Sequence, residues 1–127
     1  MDVSGKIWGQ TSEIFNQANV SIHRIEGRKG SYCSRHKHEH KYNIFFVESG
    51  QLKIQIWKKD YDLIDTTTIG PMQSTTIAPG EFHRFEVIED CVAFEIYYVQ
   101  MSDSDIVRSD VGGKKNDEKD IIDSGSK

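Results

Sequence analysis

The alternation of hydrophobic and polar residues along the chain predicts an all-β protein. From about residue 6 to residue 100, β-branched and aromatic residues recur in short runs of near-alternating polarity. No stretch of ten residues shows a convincing helical period. The predicted strands cover residues 19–26, 31–38, 43–48, 51–58, 74–77, 83–87 and 91–100.

Turn-forming residues separate these strands. At Ser49-Gly50 the spacing is that of a hairpin, because glycine tolerates the positive φ of a tight turn. The other predicted turns lie at Gly30, residues 60–65, Gly70-Pro71, Pro79-Gly80 and Glu89-Asp90. Seven or more short strands favour a sandwich or a barrel, and a closed barrel hides its strand edges.

The length of 127 residues suits one domain. After Gln100 the chain becomes polar, and residues 114–127 contain almost no apolar side chains beyond Ile121-Ile122. Such a segment cannot offset its ordering entropy by burial. We therefore predict a barrel domain over residues 1–110 and a polar, disordered tail over residues 111–127.

Charge and composition exclude several classes of partner. The net charge is −4, and the 16 basic residues are scattered, which argues against nucleic acid. The start of the chain lacks an apolar export segment, and the longest apolar runs are too short to cross a membrane. The two cysteines lack Cys-x-x-Cys spacing, so we expect reduced thiols and a cytoplasmic protein.

Three histidines form the strongest chemical signal. Strand alternation places His36 and His38 on one face, with Lys37 pointing away. His83 follows the Pro79-Gly80 turn at the start of another strand. If the sheet closes, the three imidazoles meet inside the barrel, where they would form a transition-metal site.

The spacing of these residues resembles the first cupin motif, G-x5-H-x-H-x3,4-E-x6-G. The matching positions are Gly30, His36, His38, Asn43 and Gly50. Only the glutamate differs, since Asn43 stands in its place. The resemblance implies a single cupin domain, a jelly-roll-like barrel that is also described as a double-stranded β-helix.

The second cupin motif, G-x5-P-x-G-x2-H-x3-N, is matched in part. Gly80 and His83 keep the motif spacing, while the proline is Pro79 and the usual asparagine is Val87. The two partial matches occur in the right order along the chain. Together they support the cupin resemblance.

Asn43 leaves the metal chemistry open. Cupins of this kind commonly hold their metal with three histidines and a carboxylate, whereas an amide oxygen is neutral and binds more weakly. A three-histidine site could hold zinc, iron, manganese or nickel. Alternatively, His40 could become a fourth ligand, or the site could be polar with no metal.

Beyond the motifs, the folded part resembles the cupin domain of type II mannose-6-phosphate isomerases. Residues 6–9 are similar to that family's Pro-Trp-Gly opening, and residues 22–25 to its Val-Lys-Arg-Ile strand. Residues 47–50 are similar to Val-Val-Ser-Gly, and residues 77–84 to Ile-Pro-x-Gly-x-x-His-Arg. Residues 103–110, Asp-Ser-Asp-Ile-Val-Arg-Ser-Asp, are similar to Glu-Asp-Asp-Ile-Val-Arg-x-x-Asp.

This resemblance implies aldose–ketose isomerisation of a phosphorylated sugar at a divalent metal. The family's metal-ligand positions fall on His36, His38, Asn43 and His83. The family usually has glutamine at the position of His36 and glutamate at the position of Asn43. The metal would polarise the carbonyl and the C2 hydroxyl while a base moves a proton between C1 and C2.

Arginine matches the oxygens of a phosphate group bidentately. Arg24, Arg84 and Arg108 are therefore the candidate phosphate ligands. No residue stands out as the base, although Glu48 and Glu95 have the right chemistry.

Two other functions stay open. The absent carboxylate suits a three-histidine metal-dependent oxygenase or lyase that acts on a small molecule. Asn43 and the lack of an evident base suit a non-catalytic cupin that binds a sugar or another small molecule. Related barrels commonly pair, so we expect a homodimer.

Overall fold

The computed structural model describes residues 3–58, 63–99 and 105–115. The strands are β1 (Val3–Lys6), β2 (Gly9–Gln17), β3 (Val20–Gly27), β4 (Tyr42–Trp57), β5 (Ile64–Ile69), β6 (Ser74–Ile77) and β7 (Phe82–Tyr98). Every strand pair is antiparallel, and the described ranges contain no helix. The predicted all-β class is therefore confirmed.

The two longest strands, β4 and β7, organise the sheet. The strand order is β1-β2-β3-β7-β4-β5, and β6 pairs with β4 beside this path. The first half of β4 pairs with the second half of β7, and the second half of β4 pairs with the first half of β7. The segment before β4 joins β7 through two isolated bridges, Tyr32 to Glu86 and His36 to His83.

The core lies between the two halves of these bent strands. Along β7 the buried side chains occupy odd-numbered positions throughout, whereas along β4 they change from odd to even numbers at the bend. Burial of each large apolar side chain contributes about 1.5–3 kcal/mol. The buried cluster consists of Ile25, Cys33, Phe45, Val47, Leu52, Ile54, Ile69, Ile77, Phe85, Val87, Cys91 and Ala93.

The predicted hairpin at Ser49-Gly50 is wrong, because both residues lie inside β4. Glu89-Asp90, predicted as a turn, likewise lies inside β7. Gly50 has φ of 83°, and the pairing register shifts on both sides of it. A Cβ there would lie 2.1 Å from the carbonyl oxygen of Asp90. The glycine therefore forms a bulge where two strands approach closely, and the chain does not reverse.

Three strands, β1, β2 and β5, were not predicted. β1 is a four-residue strand at the edge of the sheet. β2 has one buried residue, Ser12, so it lacks the apolar alternation that marks a strand facing the core. β5 is an edge strand that is exposed except at Ile69. The predicted turn over residues 60–65 is wrong at Ile64 and Asp65, which belong to β5, while residues 59–62 lie outside the described chain.

Some of the other predicted elements are present in the structure, and others are not. Residues 31–38 form an irregular segment with isolated bridges and no continuous strand. The strand over residues 74–77 and the turns near Pro71 and Pro79-Gly80 are present. Residues 105–115 form no regular element and are exposed, and residues 116–127 lie outside the described chain. The domain boundary at residue 110 and the disordered tail stay predictions.

The structure also bears on the cysteines and on membrane insertion. Cys33 and Cys91 are both free and buried. Burial raises the pKa of the Cys33 thiol to about 11, so the thiol stays protonated at neutral pH. In the described part of the chain, no helix has the length and apolar character that a membrane crossing requires.

We expect Gly50→Ala to destabilise the protein more than Gly30→Ala. Both glycines have positive φ, 83° and 86°, but a Cβ at Gly30 meets nothing within 4 Å. Backbone strain alone costs about 1–2 kcal/mol, and overpacking adds about 1–3 kcal/mol at Gly50. Urea unfolding of the two variants measures the difference. Equal losses of unfolding free energy would contradict the close approach of β4 and β7.

Candidate metal centre

Three histidines from two chain segments meet beside the core. His83 lies at the start of β7, and reciprocal backbone hydrogen bonds of 3.0 and 2.8 Å pair it with His36. The His38 carbonyl oxygen accepts a 2.7 Å hydrogen bond from the Gly80 N–H, which joins this segment to the turn before β7. The ring centroids are 4.5–5.5 Å apart, and one ligand atom of each histidine lies within 4.8 Å of the others.

Backbone carbonyl groups orient two of these rings. The Nδ1 atom of His36 lies 2.8 Å from the Ser34 carbonyl oxygen, and that of His83 lies 2.9 Å from the Glu81 carbonyl oxygen. A carbonyl oxygen can only accept, so Nδ1 carries the proton in both rings. In the neutral ring the Nε2 lone pair is then free. Such supporting hydrogen bonds are typical of histidines that bind metals.

Two of the Nε2 atoms are buried and unpartnered. Within the described residues, neither the His38 Nε2 nor the His83 Nε2 has a hydrogen-bond partner. Burial, assisted by the positive charge of Lys41 and the neighbouring histidines, lowers the pKa of His38 to about 4. Burial also lowers the pKa of His83. At neutral pH these rings keep their lone pairs, so the three residues fit a transition-metal ion.

Asn43 lies in β4, only 1% exposed, and its Oδ1 atom has no hydrogen-bond partner among the described residues. Its side-chain amide hydrogen-bonds the carboxyl group of Glu95 on β7. The hydroxyl of Tyr97 donates to the same carboxyl group, and the Tyr97 ring packs against His38 with centroids 5.0 Å apart. A buried acid therefore stands beside Asn43, which occupies the position where the motif has glutamate.

Burial raises the pKa of the Glu95 carboxyl group, although its hydrogen bonds with Tyr97 and Asn43 and the nearby charges of His23 and His36 act in the opposite direction. The same burial, together with the Glu95 charge, raises the pKa of Tyr97. Glu95 is not a member of the three-histidine group. It therefore lies near this group as a separate acid.

A cavity of about 340 Å³ adjoins the histidine group through His36. Its size is in the range of small-molecule sites. Polar and aromatic side chains share the lining, and Glu95 and Tyr97 face it from β7. The lining residues are Lys6, Trp8, Thr11, His23, Cys33, Ser34, His36, Phe85, Glu95 and Tyr97.

The three predicted phosphate ligands lie elsewhere. Ile25 beside Arg24 is buried, as are both neighbours of Arg84, so strand alternation turns the two arginine side chains to the opposite face of the sheet. Arg24 pairs with Glu26 at 2.6 Å, and Arg84 hydrogen-bonds Gln55 at 2.9 and 3.2 Å. Arg108 is exposed, in a segment without regular structure. None of the three lines the cavity beside the histidines.

The remaining candidate residues differ in their exposure to solvent. His40 and Glu48 are exposed, and His40 is not in the metal-binding group. His23 and Tyr97 face the cavity although the sequence pattern did not mark them as functional. Strand alternation could have identified them. His23 lies two residues before the buried Ile25, and Tyr97 lies two residues after the buried Glu95, so each shares the inward face of its strand.

Comparison with solved structures identifies the architecture. The Cnp3 cupin domain of Schizosaccharomyces pombe superposes with a TM-score of 0.66 over 79% of this chain and 69% of that chain, at 10% identity. The fold is a cupin barrel. KdgF from Halomonas sp. matches the cupin barrel with a TM-score of 0.67 over 80% of this chain and 90% of that one, at 13% identity.

The capsular polysaccharide assembling protein CapF from Staphylococcus aureus has a TM-score of 0.66 over 80% of this chain, at 21% identity. The cupin barrel corresponds to only 31% of the CapF chain. No protein-family model and no curated protein matches the sequence. These likenesses show the fold, and the resemblance to type II mannose-6-phosphate isomerases rests on the sequence motifs. The homodimer and the cytoplasmic location stay predictions.

We expect the protein to bind one divalent transition ion, and His36→Ala and His83→Ala to weaken that binding. Removing a ligand should cost more than the roughly 10- to 100-fold that loss of a supporting hydrogen bond costs. Calorimetric titration with Zn²⁺ and Co²⁺ measures the affinity, and His40→Ala is the matched control. Thermal melting verifies that each variant is folded. Unchanged affinity in both cluster variants would exclude this group as the metal site.

Proposed function

We propose that this cupin is a metal-dependent enzyme that isomerises a phosphorylated sugar between its aldose and ketose forms. The proposal is supported by the arrangement of three histidines and a buried acid beside one cavity. Three histidines, of which His38 and His83 have buried and unpartnered Nε2 atoms, adjoin through His36 a cavity that a buried acid, Glu95, also lines. Metal ligands and a proton-transfer group are the two parts that this reaction needs.

His36, His38 and His83 would hold the metal, and Asn43 would offer a neutral oxygen through its unpartnered Oδ1. A bound divalent ion would supply Lewis-acid polarisation of the sugar carbonyl and the neighbouring hydroxyl. The chain's own contribution begins with orientation, because the carbonyl groups of Ser34 and Glu81 hold two of the rings.

Glu95 is the candidate proton-transfer group. Its carboxyl lies in the cavity wall, where the hydrogen bonds from Tyr97 and Asn43 hold it in place. Isomerisation requires that one base removes the proton from C2 of the aldose and returns it to C1 of the enediol. A single carboxylate performs both carbon proton transfers, and the O2 hydroxyl proton passes to O1, so the reaction proceeds without a net change in charge. A raised pKa suits a group that must take up and release a proton near neutral pH.

A lyase or oxygenase that acts on another small molecule is the second candidate. It is favoured by one observation, that the metal-binding group itself contains three histidines and no carboxylate. Metal analysis and oxygen uptake distinguish the two proposals. Consumption of oxygen with a bound redox-active metal favours the oxygenase, metal-dependent cleavage of the substrate without oxygen favours the lyase, and metal-dependent formation of a ketose of unchanged composition favours the isomerase.

We expect Glu95→Gln to slow isomerisation of mannose 6-phosphate to fructose 6-phosphate by about 10²- to 10⁴-fold, the usual contribution of a general base. Glutamine keeps the size of the side chain and one acceptor oxygen, but it cannot accept the proton. Coupled assay of fructose 6-phosphate measures the rate, and Glu48→Gln at an exposed position is the control. Absence of turnover by the metal-loaded wild type, with Zn²⁺, Mn²⁺, Fe²⁺ and Ni²⁺ tried in turn, would refute the isomerase proposal.

A further inference from the structure

We infer that Lys6 and Trp8 form the substrate-anchoring subsite of the cavity, with Lys6 holding the anionic group of the substrate and Trp8 packing against its sugar ring. The inference rests on the proposed function, because it assumes that the ligand of this cavity is an anionic sugar. It differs from the sequence-based prediction, which gave the phosphate to Arg24, Arg84 and Arg108.

The turn between β1 and β2 brings both side chains to the cavity. Gly9 has φ of 152°, and a Cβ at this position would lie 1.8 Å from the Glu26 carbonyl oxygen, so only glycine allows this close approach. The Trp8 carbonyl oxygen accepts hydrogen bonds of 3.0 Å from the Arg28 N–H and from the Ser31 hydroxyl. The turn is thereby fastened to the segment that follows β3.

The two apolar residues of this turn have different environments. Ile7 is 99% exposed at the tip, whereas Trp8 folds back against the core. The Trp8 ring meets Phe85 edge to face with centroids 4.9 Å apart. Phe85 therefore holds the indole in the cavity wall, where it offers the apolar surface of a small-molecule site.

Among the described residues that line the cavity, Lys6 is the one lysine, and there is no arginine. Among the residues that the structure describes, no carboxylate lies within 4.0 Å of its ammonium group, whereas Lys29, Lys53 and Lys58 each pair with an acid. Lys6 thus has a charge available for an anion. Lysine binds phosphate as a point charge, so it needs no bidentate geometry.

The remaining lining defines the substrate class. Thr11, Ser34 and His23 present hydrogen-bonding groups, which suit the hydroxyls of a sugar. His36 and Glu95 line the same cavity, next to the proposed metal ligands. If the phosphate bound Lys6, the carbon chain of the sugar would lie between Trp8 on one side and His36 and Glu95 on the other. The cavity volume of about 340 Å³ suits a single sugar unit with its anionic group.

The two tryptophans of the chain allow a direct test. Trp8 lines the cavity, whereas Trp57 lies under Arg35 on the other face of the sheet, 4.7 Å from its guanidinium carbon. In Trp57→Phe, Trp8 is the sole fluorescent indole. The probes are mannose 6-phosphate, mannose and inorganic phosphate, titrated into metal-loaded protein, with calorimetry as a second measure of binding.

We expect mannose 6-phosphate to change Trp8 fluorescence saturably and mannose to bind at least about tenfold more weakly, because one charge-assisted hydrogen bond is lost. Adding Lys6→Met should raise the Kd of mannose 6-phosphate by about tenfold, and Lys6→Arg should restore most of the affinity. Lys53→Met removes a charge from the opposite face of the sheet and should leave the Kd unchanged. Trp8→Phe, which keeps Trp57, should give no fluorescence response.

The failures are distinguishable. If the wild type isomerises mannose 6-phosphate while Lys6→Met binds it with unchanged Kd, Lys6 is not the anchor and the proposed function stands. If the protein bound mannose and mannose 6-phosphate with the same affinity, the anchoring role of Lys6 would also be overturned. If mannose 6-phosphate neither binds by calorimetry nor turns over, the proposed function falls and this inference falls with it.

Discussion

The close approach of β4 and β7 at Gly50 and Asp90 is the constraint on which the rest of the structure depends. Both strands are long, and they pair on either side of this point, so the bend divides each of them into two halves. Apolar side chains from all four half-strands enter one buried cluster. A side chain at position 50 would hold the two backbones apart and would disturb the register of both halves together.

The candidate site depends on the same bend. The second half of β7 carries Glu95 and Tyr97, and the first half carries His83. Asn43 lies on the first half of β4 beside Tyr97, while His36 is paired to His83. The metal-binding group and the buried acid are thus placed by different halves of one strand, and the curvature of the sheet brings them to one cavity.

This arrangement places polar groups where burial is unfavourable. A buried polar atom without a partner costs about 1–3 kcal/mol. The Nε2 atoms of His38 and His83 and the Oδ1 atom of Asn43 are three such atoms in the described chain. A fold selected only for stability would replace them with apolar side chains. Unpartnered buried polar atoms grouped in this way are typical of a functional site, where stability is traded for binding or chemistry.

Position 43 illustrates how the tertiary structure changes the interpretation of a motif. In the sequence, asparagine at the glutamate position suggests that an acid is missing from the site. In the structure, the Asn43 amide contacts Glu95, which faces the cavity from the neighbouring strand. The motif compares positions along one chain segment, so it cannot detect an acid that pairing across strands supplies.

The sequence alone determined the all-β class, the cupin resemblance and the three histidines, because strand alternation and motif spacing are local properties. It did not determine β1, β2, β5 or the continuity of β4 and β7. These three strands lack an apolar alternation, and a glycine at positive φ serves a hairpin and a bulge equally well. Strand pairing and burial decided which polar residues surround the cavity. They brought Lys6, His23, Glu95 and Tyr97 to His36, and they turned Arg24 and Arg84 to the opposite face of the sheet.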